Sequence, residues 1–340
     1  MSSASSTSSH TKEILLGLTF SLLAAIGFSV KSILVKLAYV YHVDALTLLT
    51  LRMAFAAPFF IGIALWAWLQ HSDPLGRREW LTLGGLGLGY YLFNYLDFVG
   101  LQSISAGLER LIQFLYPTLT VILAALLHRR AIPPRVIAAM VLSYLGIAMV
   151  FLHDVNVSQG NIALGSSLVF ASTLCYAIYL VGAGHSIARM GTTRFTAYAM
   201  IVASAICLGQ FVTTHPVGLL IQPLPVYRLA ILMSIFSTVL PVFLLTAGIR
   251  RIGSGEASLV GSIGPVFTIY LAHVFLNENV SLMQIAGSAL VLVGVVAVSL
   301  SSRNKVEADS PDIINGADAP VQNEGGLQEL TKVQVSNPML

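Results

Sequence analysis

Charge is what this chain has least of. Asp, Glu, Lys and Arg together make up 10% of its 340 residues, against roughly 25% in soluble domains. A soluble core of this size needs a charged skin, and there are too few charges here to make one. Cysteine is almost absent. Cys175 and Cys207 both fall in apolar runs, where they read as small packing residues and not as a disulfide or metal pair. The eight histidines are scattered and show no zinc-binding spacing, and neither a Walker sequence nor a Gly-x-Ser-x-Gly occurs. These absences argue against an enzyme, a metal site, a cofactor or an ATP-driven pump. The slight net positive charge of +3 comes from short basic loops and does not indicate a nucleic-acid partner.

What the chain does have is apolar sequence. Hydrophobic residues make up 56% of it and the mean hydropathy is +0.82. Runs of about 20 apolar residues recur, each long enough to cross a bilayer core of roughly 30 Å. The expected fold class is an all-α polytopic membrane protein whose partners are the lipid bilayer and a small-molecule substrate, as a monomer or homodimer. Ten transmembrane spans are read, at about 14–40, 46–69, 79–99, 104–127, 133–152, 161–184, 194–213, 227–248, 255–276 and 281–300. Residues 1–13 lack the apolar core and cleavage site of a signal peptide, so the first span is expected to be retained. The polar tail 301–340, rich in Asp, Asn, Gly and Pro, reads as disordered.

Basic residues set the orientation. One side receives Lys12, Arg77, Arg78, Arg129, Arg130, Arg135, Arg189, Arg194, Arg250, Arg251, Arg303 and Lys305, and the other receives only Arg228. Both termini are therefore expected in the cytoplasm, and short loops suggest a bacterial inner membrane. Trp66, Trp68 and Trp80 flank an inner loop, as an interfacial belt would. The run "GGLGLG" at 84–89 has no lysine after it and lies inside a span, which fits close helix packing better than a phosphate loop.

The chain also repeats. The stretch beginning "ISAGLERLIQFLYPTLT" at Ile104 aligns without gaps on "IGSGEASLVGSIGPVFT" at Ile252. Gly107 falls on Gly255, Pro117 on Pro265, Thr120 on Thr268 and Gly146 on Gly294. An odd number of spans per repeat inverts the second copy, and the loop charges agree: "HRRAIPPR" is basic where its partner "NENVSLMQ" is not. The expected domains are two inverted five-helix repeats, 14–153 and 161–300, around a central cavity, an architecture common in secondary transporters.

Several residues together resemble the EamA branch of the drug/metabolite transporter superfamily. They are Lys36 at the end of the first span, Arg52 in the second, Pro117 and Pro265 in the fourth and ninth, and the turn "FLNENVS" around Glu278. The first repeat departs from the pattern by placing Arg130 where that turn often has glutamate. The resemblance covers about residues 14–302. It implies ten helices enclosing a cavity and export of metabolites or amino-acid-like solutes by alternating access. An importer or exchanger of a vitamin or nucleotide-like metabolite has the same sequence features, and a non-transporting scaffold is the rival of another class.

Ionisable residues inside a membrane are costly and usually face a cavity or a partner. Those of the first repeat are Lys31, Lys36, Arg52, Asp97, Glu109 and Arg110, joined by Asn94 and Gln113. The second repeat supplies Tyr176, Tyr179, Gln210, Tyr270 and His273 instead. Glu109 and Arg110 are helical neighbours about 100° apart, so each needs a different partner. Glu109 shares its face with Gln113 and Tyr116, and is expected to pair with a cation from the first or second span. Arg110 is expected to meet Asp97 or a substrate carboxylate. Two readings stand for others: Lys36 either snorkels or lines the cavity, and Asp97 is either wet or paired. Arg52 either pairs with Glu109 or touches substrate. The expected substrate site is Lys31, Arg52, Arg110, Gln113, Tyr176 and Tyr179, whose excess of cations suits an anionic or zwitterionic substrate. Glu109, Asp97, Pro117 and Pro265 are expected to couple or gate.

Overall fold

The computed structural model describes residues 3–70, 75–127, 129, 131–157 and 161–309. Met1–Ser301 form one compact unit, and Ser302–Leu340 a second whose described part, 302–309, is helical. The helices are α1 (Ser3–Tyr39), α2 (Ala45–Gln70), α3 (Arg77–Leu101), α4 (Ala106–Gln113), α5 (Tyr116–Leu127) and α6 (Pro134–Val157). They continue with α7 (Ile162–Met190), α8 (Thr192–Thr214), α9 (Leu224–Ser234), α10 (Leu240–Gly261), α11 (Gly264–Leu276) and α12 (Leu282–Asp309). A π-helical turn, Ile235–Val239, joins α9 to α10. No strand occurs among the described residues. Helix is the expected answer to apolar surroundings, because it satisfies every backbone donor and acceptor within the segment.

Among the described residues, seven helical segments are long and apolar enough to cross a membrane; α3 is not among them, and the apolar parts of α11 and α12 are shorter. The chain is thus an all-helical polytopic membrane protein. The first helix reaches back to Ser3. Three expectations change. The tail is helical through Asp309. The loop expected near 249–254 is part of α10, and the fourth span is two helices. Residues 310–340, Arg130 and the side chains of Arg303 and Lys305 lie outside the described residues.

The division of the fourth span has a cause in the sequence. Pro117 has no N–H for the carbonyl of Gln113, the last residue of α4, and the chain turns at 114–115 before α5. Pro265 stands in the same relation to Gly261, the last residue of α10, with a turn at 262–263 before α11. The turn hydrogen bonds match as well: Leu115 N to Ile112 O and Leu119 N to Leu115 O, against Ile263 N to Val260 O and Phe267 N to Ile263 O. Both breaks fall at the offset of 148 residues by which Ile104 aligns on Ile252.

Close glycine contacts obey the same offset. A Cβ on Gly17 of α1 would meet Arg251 and Ile252 of α10, and one on Gly165 of α7 would meet Ser103 and Ile104. Gly248 packs on Gly17 and Ser21, and Gly100 on Gly165 and Val169. Gly146 of α6 meets Gly287 and Val291 of α12, and Gly294 of α12 meets Ala139 and Ser143 of α6. Contacts in which i touches j′ and j touches i′ are the mark of a two-fold relation. Along α6 and α12 rising numbers on one helix face falling numbers on the other, so these two helices run antiparallel.

Polar contacts gather at two ends of the bundle. At one, His215 Nε2 lies 3.7 Å from Asp44 Oδ1 and Ser105 Oγ donates to Asp154 Oδ2 at 2.6 Å. At the other, Arg189 Nε pairs with Glu79 at 2.9 Å and Arg251 Nε with Glu13 at 3.1 Å.

Gly294→Val would drive its side chain into the Ser143 hydroxyl and into the Ala139 carbonyl, which would lie 2.5 Å from the new Cβ. Overpacking of this kind costs about 1–3 kcal/mol. Thermal unfolding of the purified protein in detergent should show that loss for Gly146→Val and Gly294→Val alike. Gly62→Ala, with nothing within 4 Å of its Cβ, should leave the midpoint unchanged.

Candidate functional site

The polar groups of α1, α3 and α4 converge on one buried cluster. Lys31 Nζ donates to Asp97 Oδ2 at 2.6 Å and lies 3.3 Å from Glu109 Oε1, and both carboxylates are fully buried. Gln113 closes the group: its Oε1 accepts from Lys31 Nζ at 3.3 Å, and its Nε2 donates to Asp97 Oδ1 at 2.5 Å. Ser32 Oγ donates to Glu109 Oε2 at 2.6 Å. Two carboxylates therefore share one ammonium group, a formal charge of −1 when all three are ionised. Taking charges out of water costs several kcal/mol per ion, and only good geometry and further hydrogen bonds offset it.

The presentation of Glu109 depends on how α4 begins. Ser105 is the N-cap, its Oγ accepting from Leu108 N at 3.1 Å. Glu278, in the turn between α11 and α12, accepts from Ala106 N through Oε1 at 3.1 Å. A glutamate from the second half of the chain thus caps the first turn of a helix in the first half. Burial raises the Glu278 carboxyl above the usual carboxylate range, a shift opposed by its hydrogen bonds at Ala106 and Gly107 and by Lys36.

Arg110 has a different setting. Its guanidinium lies against Gly264, the first residue of α11: a Cβ there would be 2.9 Å from Arg110 Nη2 and 3.4 Å from Ser29 Oγ. Its Nε is buried without a hydrogen-bond partner among the described residues. Tyr116 and Tyr176 are within electrostatic range. Arg110 is therefore on the helix that ends at the first break while its cationic head sits at the second.

Arg52 is buried apart from both. Its Nε donates to Thr238 Oγ1 and its Nη1 to Asn94 Oδ1, each at 2.9 Å, and its guanidinium carbon lies 5.5 Å from the Phe98 ring centre. Beside the three cations runs a wall of rings. Phe93 stacks on Tyr176 at 4.6 Å, Tyr176 on Tyr179 at 6.0 Å, and Tyr116 meets Tyr176 edge-on at 5.4 Å. Tyr90 touches Phe93 and Tyr179, and Lys31 Nζ is 5.7 Å from the Phe93 ring centre.

The expected partners can now be assigned. Glu109 does meet a cation of the first span, Lys31. Asp97 is buried and paired with Lys31, so it neither faces water nor meets Arg110, and Arg52 does not pair with Glu109. Helix rotation decides all three, and apolar sequence leaves rotation open. At Lys31 two acids meet one base, while across the expected site the cations Lys31, Arg52 and Arg110 still outnumber Asp97 and Glu109. Lys36 is half-buried, with Glu278, Asp154 and Glu109 the acids that act on it. Tyr270 and His273 are exposed on the flank of the bundle, away from this cluster, with His273 Nδ1 at the Glu278 carbonyl. Gln210 bonds the Tyr91 hydroxyl. Sequence reasoning passed over Ser29, Ser32, Ser234 and Thr238. Their signal was available, since Ser29 and Ser32 recur at helical spacing beside Lys31, and "SIFSTVLP" sets three hydroxyls before Pro241.

Lys31→Met would leave two buried carboxylates with no cation, and breaking a buried pair from one side costs about 3–5 kcal/mol. Lower thermal stability is expected for it in detergent. The triple variant Lys31→Met, Asp97→Asn, Glu109→Gln should recover most of the loss.

Comparison with known proteins places this geometry in a family. A family model described as the EamA-like transporter family matches residues 15–152 and again 163–300, so the two matches begin and end 148 residues apart. The chain is 28% identical over 289 residues to the "uncharacterized transporter YcbK" of Bacillus subtilis, covering 82% of this chain and 91% of that one. It is 26% identical over 271 residues to the "uncharacterized inner membrane transporter YicL" of Salmonella typhimurium, covering 76% and 86%. A "probable terminal-alkyne amino-acid exporter" of Streptantibioticus cattleyicolor is 33% identical over 120 residues, 35% of this chain and 37% of that one. A solved crystal structure 19% identical in sequence superposes with a TM-score of 0.56, covering 85% of this chain and 98% of its own, a likeness of fold alone. With two matches that together span most of its length, the chain belongs to the EamA-like transporter family.

Proposed function

We propose that this transporter is a secondary carrier that exports a small polar metabolite bearing a carboxylate, amino-acid-like in character, by alternating access. The observation that carries the reading is the Arg110 guanidinium, which has no hydrogen-bonded anion among the described residues and lies at the meeting point of two broken helices. Broken helices are where secondary transporters hold their cargo. The N-terminus of the 13-residue α11 is at the same place, and its free N–H groups favour negative charge. A carboxylate at this point would face a guanidinium, a helix terminus and the Tyr116 and Tyr176 rings. The partial similarity to an amino-acid exporter agrees with cargo of that kind.

The Lys31–Asp97–Glu109 cluster is the coupling element in this reading. One proton taken up by either carboxylate brings it from −1 to neutral, and Glu109 sits next in sequence to the cargo-binding arginine. Domain halves 14–153 and 161–300 act as inverted repeats, a reading supported by the reciprocal contacts and by the antiparallel run of α6 against α12. With the basic loops inside, the end bearing Arg77, Arg189 and Arg251 faces the cytoplasm, as do both termini. The similarity to an inner membrane transporter of Salmonella typhimurium agrees with a bacterial inner membrane.

Counterflow in proteoliposomes tests the proposal, using a pool of radiolabelled amino acids and small carboxylates. Wild type should accumulate label, Arg110→Ala should lose nearly all of it, and Arg110→Lys should retain part at a raised half-saturation. Equal accumulation by wild type and Arg110→Ala would remove Arg110 from the pathway. No accumulation of any pooled compound by folded wild type would contradict the cargo class.

A further inference from the structure

We propose that Arg52 is a positioning residue, clamping the π turn of the α9–α10 helix and so setting which end of the bundle is open. The sequence assigns Arg52 to substrate, but its contacts are made to a neighbouring helix. Its Nε donates to Thr238 Oγ1, inside the π turn Ile235–Val239. Its own carbonyl accepts from Ser234 Oγ at 2.7 Å, one residue before that turn. Its Nη1 reaches Asn94 of α3. One residue of α2 thus grips the turn through both side chain and backbone, and ties it to a third helix.

The turn exists for a local reason. Pro241 has no N–H to give Ser237 O, and Leu240 N donates instead to Ile235 O, one residue further back than in an α-helix. Thr238 Oγ1 and Ser237 Oγ both donate to the Met233 carbonyl, at 3.1 and 2.8 Å. On its far side the turn presses on α1 at Gly27, where a Cβ would lie 2.7 Å from Phe236 O and 2.5 Å from Pro241 Cγ. A π turn before a proline is where a long helix bends. Here it is pinned between α1 and α2 by contacts that are local, polar and few.

Releasing it has a direction. α9 contributes Val226, Ala230 and Met233 to the apolar cluster in which Cys207 of α8 lies, beside Thr50 of α2. α10 contributes Val242, Phe243 and Thr246 to a small pocket shared with Phe60 and Thr192 near the opposite end. If α9 leaves α2 by bending at the turn, the cluster that holds Cys207 is expected to open and the Thr246 pocket to close. The same groups register the coupling cluster: Asp97 lies three residues from Asn94, and it and Tyr90 are ionisable groups that act on Arg52. The clamp is thus the step between the site of the proposed transport cycle and its gates, and rests on that reading.

Thiol labelling tests it without any substrate. In lipid nanodiscs and a Cys175→Ser background, N-ethylmaleimide rates are measured at native Cys207 and, in a second protein that also carries Cys207→Ser, at Thr246→Cys. Loss of a hydrogen bond to a charged group corresponds to roughly tenfold or more. Thr238→Val should raise labelling of Cys207 by about that factor and slow it at Thr246→Cys. Arg52→Lys, which keeps the charge but not the two-armed grip, should do the same. Rates in Thr238→Val equal to wild type overturn the clamp. Rates that rise at both positions overturn it too, because general loosening has no direction. Arg52→Lys that labels like wild type also overturns it. Since no cargo is used, these outcomes are independent of whether counterflow succeeds.

Discussion

Two carboxylates share one ammonium group in the buried interior of the bundle. Lys31, Asp97 and Glu109 come from three helices and all three are buried, so each helix is fixed in rotation by the need of its ion for the others. Gln113 and Ser32 add hydrogen bonds to the cluster, while Glu109 Oε1 keeps only its ion-pair contact with Lys31. An ion cluster buried this deeply is weak evidence for stability, since desolvation takes back most of the Coulomb energy. Its odd charge count is what the proposed coupling role would use. One residue along the chain sits Arg110, with no anion bonded to it among the described residues.

That juxtaposition is produced by two prolines. Pro117 and Pro265 each remove a backbone donor at matched places, and each leaves a helix end in the interior where a continuous helix would have none. The first break leaves Arg110 on a short helix held at its start by Glu278 and Ser105. The second leaves Gly264, whose missing side chain makes room for the guanidinium. Glycines at helix crossings bring the two halves into contact, and several of these contacts recur 148 residues away, as at Gly17 and Gly165 or Gly146 and Gly294.

Much of this was legible in the sequence, and the remainder fails for definable reasons. Apolar runs, basic loops and the Pro and Gly matches gave the helices and the repeat. The helical stretch around 249–254 was hidden because "RRIGSGE" has loop composition, yet α1 packs along it and Glu13 pairs with Arg251. The proline of the fourth span signalled a weak ladder but not a complete turn. Partner choice was least legible. Glu109, Asp97 and Arg52 each had several geometrically open partners, and only the rotation of packed helices selects among them. Arg52 shows it most clearly, since its partner Thr238 lies 186 residues away.

The charge count can be tested by a double-mutant cycle on the two carboxylates, read as thermal stability of the purified protein in detergent. Asp97→Asn or Glu109→Gln alone leaves one acid against one base, and each is expected to cost little or to stabilise. The two together leave Lys31 buried without a counter-ion, and a loss well beyond the sum of the singles is predicted. Large losses in both single variants, adding up in the double, would show that both charges are needed at once and would contradict the account.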